Sequence, residues 1–141
     1  MSDFAVRLYG VVIEEGDANP VRLVLELVEG GDLQEKLANP EIKVLNDWKV
    51  KLQVALYAAH GVNYFHSRDP PFLHRDIKSS NFLLTPDLQM VKLCDAGMSK
   101  MAANEYKMSI HNVNHIGTIM WKAPETYESE FTLASDIFSL G

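Results

Sequence analysis

Residues 74–81 read HRDIKSSN, which brings an imidazole, two cations, a carboxylate and an amide into one short run. A carboxylate in that company can act as a base, and amide and carboxylate oxygens suit a hard metal ion. A His-Arg-Asp run standing alone reads more simply as a surface ion-pair cluster, a common and weakly stabilising feature. Against that simpler reading stand three further runs in order downstream: Asp95-Ala96-Gly97, GTIMWKAPE at 117–125 and SDIFSLG at 135–141.

Such residues need elements to hold them. Residues 4–14 (FAVRLYGVVIE) and 20–29 (PVRLVLELVE) are rich in β-branched residues and are separated by a polar turn, so they predict an antiparallel strand pair. Gly30 and Gly31 precede Asp32, a candidate N-cap for a short helix reaching residue 38. Residues 46–67 carry Val50, Val54, Leu56 or Ala58, Val62 and Phe65 at helical spacing, with Asp47 as the candidate cap. Pro70 and Pro71 end that helix. Short strands or turns are expected around 72–84 and 90–97, then a long polar segment at 98–116, and finally an apolar helix beginning near the end of the chain.

Length and composition bound the class. A chain of 141 residues is about one domain, and 47% hydrophobic residues mark it as globular. A net charge of −6 argues against a nucleic-acid or anionic-membrane binder. No apolar run approaches a membrane span and no signal peptide is visible. The single cysteine, Cys94, permits no internal disulfide, so an intracellular, cytoplasmic setting is expected. Cys94 itself reads as a small buried filler, and His111 and His115, four apart with no cysteine nearby, do not read as a zinc site.

In order and spacing, the four runs resemble the catalytic core of a eukaryotic protein kinase, in the flavour of the tyrosine-kinase-like, mostly Ser/Thr-specific group. Matching His74, Arg75, Asp76, Lys78 and Asn81 by chance is on the order of one in three million, before the downstream runs are counted. The resemblance covers essentially the whole chain. It implies an α+β, two-lobe fold present in part: a remnant of the small β-rich lobe and hinge (1–30), then the first part of a mainly helical large lobe (31–141) with an activation segment at 95–125.

The resemblance also assigns roles. Asp76 would orient a substrate hydroxyl, Lys78 would neutralise the γ-phosphate of ATP, and Asn81 and Asp95 would hold Mg2+. Leu83 would lie under the adenine ring, Leu25 would be the gatekeeper, and Glu26 and Val28 would offer backbone groups to adenine. Asp136 would tie down the backbone of the catalytic loop, and Thr118 would bond to Asp76 and Lys78, which favours serine or threonine as acceptor. Arg75 and Lys100 match cations that grip a phosphate on the activation segment, with Ser99, Tyr106, Ser109 and Thr118 as candidate acceptors. ATP, a protein substrate and a regulatory protein are the implied partners.

Two departures qualify these expectations. Ala96 stands where a phenylalanine usually follows the metal-binding aspartate; its loss, uncompensated, leaves a void costing about 3–5 kcal/mol. In addition, residues 1–141 contain no G-x-G-x-x-G loop and no V-A-I-K lysine. The expectation is therefore about half a kinase domain, a fragment transferring phosphate poorly by itself. The alternatives are a catalytically inactive, pseudokinase-like binding module and a truncated remnant.

Overall fold

The two β-rich runs do pair. In the computed structural model β1 (Leu8–Ile13) and β2 (Val21–Leu25) form an antiparallel ribbon, Val11 opposite Leu23 and Ile13 opposite Val21, with a bulge between Leu8 and Gly10. The structure describes residues 3–14, 16, 21–101, 107–109, 118–128 and 130–141, with the side chains of 98, 100 and 107–109 excepted. Helix α1 (Leu33–Ala38) follows, its Asp32 cap accepting the Glu35 N–H at 2.9 Å. Helix α2 (Trp48–His66) is the longest element, and Asp47 caps it by accepting the Lys49 N–H at 2.7 Å. Both caps are the acidic residues the sequence pointed to, and each satisfies a donor that the first helical turn leaves free.

Beyond α2, β3 (Phe72–Leu73) leads into the loop, and β4 (Phe82–Leu84) pairs antiparallel with β5 (Val91–Leu93). The strand β6 (Lys100–Met101) pairs with β3, and β7 (Lys107–Ser109) pairs with β8 (Glu130–Thr132). Helix α3 (Leu133–Leu140) closes the chain behind a capping box made by Thr132 and Ser135.

The core lies between α2 and the β4–β5 hairpin. Ala58 and Val62 of α2 meet Phe82, Leu84, Val91 and Leu93, with Leu33 and Ile77 completing the cluster. Of the two positions left open by helical spacing, Ala58 faces inward and Leu56 is exposed. The strand expected over 4–14 starts only at Leu8. Residues 4–6 run instead along β5, where Phe4 O accepts the Leu93 N–H at 2.8 Å and the Val6 N–H donates to Leu93 O at 2.9 Å. Gly61 permits this crossing, since a Cβ there would stand 2.9 Å from Phe4 O. The ribbon ends where the hinge begins, and Gly30 packs against the hairpin so closely that a Cβ would lie 2.1 Å from Leu84 O.

Candidate active site

The loop between β3 and β4 carries the residues singled out in the sequence, and its shape is imposed by side chains rather than by regular structure. Asp136, buried on α3, accepts the His74 N–H at 2.7 Å, the Arg75 N–H at 2.8 Å and a bond from His66 Nε2 at 2.9 Å. One carboxylate thus satisfies two loop amides that have no strand partner. Arg75 sits at φ +67°, a left-handed conformation rarely adopted by non-glycine residues, and this clamp helps to hold it.

Downstream of the clamp, the loop presents Asp76. Its Oδ1 accepts from Thr118 N and Thr118 Oγ1, each at 3.0 Å; its Oδ2 accepts from Lys78 Nζ at 2.8 Å and Asn81 Nδ2 at 3.1 Å. Lys78 Nζ also donates to Thr118 Oγ1 at 2.9 Å, and Asn81 Nδ2 donates to the Asp76 carbonyl at 2.7 Å. Burial opposes charge on Asp76, but the bonds from Lys78, Thr118 and Asn81 outweigh it and hold the carboxyl below the usual carboxylate range. Asp76 is therefore ionised at neutral pH.

His74 is fully buried behind this loop. Its Nε2 lies 3.0 Å from the Cys94 carbonyl, which can only accept, so Nε2 carries the proton. Its Nδ1 has no partner among the described residues. Burial, opposed by the Cys94 carbonyl and by Asp136, Asp76 and Asp95, lowers the imidazole pKa and keeps the ring neutral. The Phe65 ring meets His74 edge-on, with centroids 5.5 Å apart.

The hairpin brings the metal candidates side by side. Phe82 pairs with Leu93, and the Cys94 N–H continues the ladder to Asn81 O at 2.8 Å, so Asp95 emerges beside Asn81. Asp95 is exposed and left-handed at φ +59°. With the Asn81 amide hydrogens committed to Asp76, Asn81 Oδ1 remains as an acceptor, and the exposed Asp95 carboxylate follows Cys94, whose N–H is bonded to the Asn81 carbonyl. That all-oxygen pair fits Mg2+, which keeps waters and phosphate oxygens in most of its shell. No group of three or more His, Cys, Asp or Glu that could hold a metal ion occurs among the described residues.

Leu83 lies on the same hairpin, half-buried, opposite Lys92. Glu26 and Val28 follow β2; among the described residues the Glu26 carbonyl and the Val28 N–H make no hydrogen bond, whereas the Glu26 N–H is taken by Arg7 O at 2.8 Å. Ala96 lies on the wall of a cavity of about 440 Å3 shared with Leu23, Leu25, Phe65 and Leu93, so its methyl group does stand beside open space.

Two contributors were missed in the sequence. His66 gives Asp136 its third bond, and Lys92 binds the Glu26 carboxylate. Only the β4–β5 register, which sets Lys92 across from Leu83, exposes the second. Of the regulatory expectations, Arg75 has a buried Nε with no partner among the described residues. The side chains of Lys100 and Ser109, and residues Tyr106, His111 and His115, lie outside the described part. No helix of the described residues is long and apolar enough to cross a membrane.

Known protein kinases are similar to this chain in sequence. The chain is 38% identical over 128 residues to a probable serine/threonine-protein kinase of Dictyostelium discoideum, roco6, covering 87% of this chain and 6% of that protein. It is 36% identical over 129 residues to a receptor-like kinase of Arabidopsis thaliana, LIP2, covering 89% of this chain and 23% of the relative. Against mitogen-activated protein kinase kinase kinase 7 of Bos taurus the identity is 35% over 138 residues, 96% of this chain and 22% of the relative. The chain thus spans less than a quarter of the length of each. Residues 2–141 match the family described as protein tyrosine and serine/threonine kinase, and the chain belongs to that family.

Proposed function

We propose that these residues serve transfer of the ATP γ-phosphate to serine or threonine hydroxyls of a protein substrate. The observation that carries this reading is the closed set around Asp76, where Lys78, Asn81 and Thr118 all meet one ionised carboxylate within 3.1 Å. A carboxylate offers about four lone-pair sites, and those three side chains and the Thr118 N–H fill all four. A substrate hydroxyl can bond to Asp76 only if one donor leaves. Lys78 is the donor able to do so: it is 21% exposed and more flexible than the amide donors. Its natural destination is a γ-phosphate oxygen, so arrival of ATP frees the acceptor that orients the hydroxyl. Asn81 and Asp95 would hold Mg2+, which when bound neutralises phosphate charge. Glu26 and Val28 would give adenine a carbonyl and an N–H, with Leu83 below the ring and Leu25 as gatekeeper. A regulatory protein partner and a cytoplasmic setting complete the reading.

The test uses the longest natural polypeptide containing residues 1–141, γ-labelled ATP with Mg2+, and a generic serine/threonine substrate. Asp76→Asn is expected to reduce transfer by at least about a hundredfold while a fluorescent ATP analogue still binds within about twofold. Transfer retained in that variant overturns the assignment. A second reading, an inactive binding module, is favoured by Ala96 beside the open cavity. Nucleotide-independent partner binding with no transfer by the wild type would select it.

A further inference from the structure

The Glu26 carboxylate joins three segments. Lys92 Nζ donates to Oε1 in a charge-assisted bond, and the Arg7 N–H donates to Oε2 at 3.1 Å. Arg7 precedes β1, Glu26 follows β2, and Lys92 is the middle residue of β5, directly across from Leu83. Both side chains are largely covered, Lys92 at 13% and Glu26 at 21% exposure, so the pair is screened less than a surface pair.

Stability alone is a poor explanation for such a pair, because apolar residues of similar volume often serve as well or better. What a doubly bonded carboxylate adds is definite geometry. Upstream, main-chain bonds from Phe4 and Val6 hold the chain to Leu93; downstream, the Leu84 N–H donates to Gly31 O at 2.9 Å. Residues 26–28 lie between those two anchors, and the Glu26 side chain is a tie in the middle of the span.

We propose that Glu26 and Lys92 form a clasp that fixes the hinge peptide groups of residues 26–28 against the β4–β5 hairpin, making both side chains positioning residues for the adenine site. The effect on nucleotide rests on the proposed function; the clasp itself does not. Because the same hairpin carries Leu83 below the ring and the Asn81–Asp95 pair, the clasp sets the edge contacts and the floor in one frame. Displacements of about 1 Å at such sites are costly. The Lys92 bond also holds the Glu26 carboxyl below its usual range, so the clasp is intact at neutral pH and opens as pH falls through that lowered value.

The test compares wild type, Lys92→Met, Glu26→Gln, the double variant and Lys92→Arg, each in the longest natural polypeptide containing residues 1–141. Two quantities are read: amide hydrogen exchange by segment, and affinity for a fluorescent ATP analogue with Mg2+. Each single charge removal is expected to speed exchange at 5–8 and 24–29 while α2 is unchanged, and to weaken nucleotide binding about five- to tenfold. The double variant should be no worse than the poorer single, and Lys92→Arg should restore most of the affinity. Unchanged exchange overturns the clasp. Exchange that rises equally in α2, or faster local exchange with unaltered affinity in a wild type that binds, overturns the positioning role and leaves only a structural pair. If wild type binds no nucleotide, local acceleration still supports the clasp and the phosphotransfer reading falls instead.

Discussion

Two side chains behind the loop, His74 and Cys94, have their chemistry set by burial rather than by residue type. His74 must stay neutral: Nε2–H is committed to the Cys94 carbonyl, and a proton on Nδ1 would face no acceptor among the described residues. Its lowered pKa fixes the sign of the pH effect. Below the ordinary value of 6.5 the unfolded chain takes up a proton that the folded chain refuses, so stability falls on acidification, by up to about 1.4 kcal/mol per pH unit for one group. Urea midpoints measured from pH 7.5 to 5 should show that slope, and His74→Gln should flatten it. Asp76 and Glu26, both lowered carboxylates, contribute only at more acidic pH. Cys94 goes the other way. Burial, with Asp95 and Asp32 nearby, pushes its thiol up to about 11 from 9.0. Alkylation by iodoacetamide at pH 7.5 is expected to be about a hundredfold slower in the folded chain than in urea, read by mass spectrometry; equal rates would contradict this environment.

Among the elements, the hinge and the β4–β5 hairpin must touch for the site to exist, and glycine makes the contact possible. A Cβ on Gly30 would lie 2.1 Å from Leu84 O and 2.5 Å from Thr85 O, both backbone atoms that cannot swing aside. Gly30→Ala should therefore push the hinge off the hairpin and destabilise the chain by about 1–3 kcal/mol. Gly10→Ala is the control, because nothing lies within 4 Å of its Cβ position, and its urea midpoint should hardly move. A similar loss in both variants would mean that replacing a glycine as such, not the close approach, governs Gly30.

Across the molecule, apolar surface is distributed unevenly. The α2–hairpin core is well covered, while Leu8, Val11, Ile13, Val21, Leu23 and Leu25 are each about half exposed or more. Cross-strand pairing gathers them on one side of the ribbon. An isolated two-stranded ribbon is marginal in water, and a patch of this kind promotes association. Residues 1–141 prepared alone should show concentration-dependent association in sedimentation runs, and Leu23→Lys should reduce it; a monomer at all concentrations would show the ribbon to be covered in solution.

The sequence determined the family resemblance, the identity of the loop residues, the three helices and the two acidic caps, because these depend on short-range spacing and local hydrogen bonding. Asp76, Lys78, Asn81, Asp95, Thr118 and Asp136 could be picked out for the same reason: each stands at a fixed offset within a compact run. Tertiary structure alone decided that Leu56 faces out and Ala58 in, that residues 4–6 leave the ribbon for β5, and that Phe65 supplies an edge contact to His74. It also decided the Glu26–Lys92 pair, whose members are 66 residues apart. Contacts of that range depend on how elements pack and in which register strands pair, and neither is encoded in any local window of residue types.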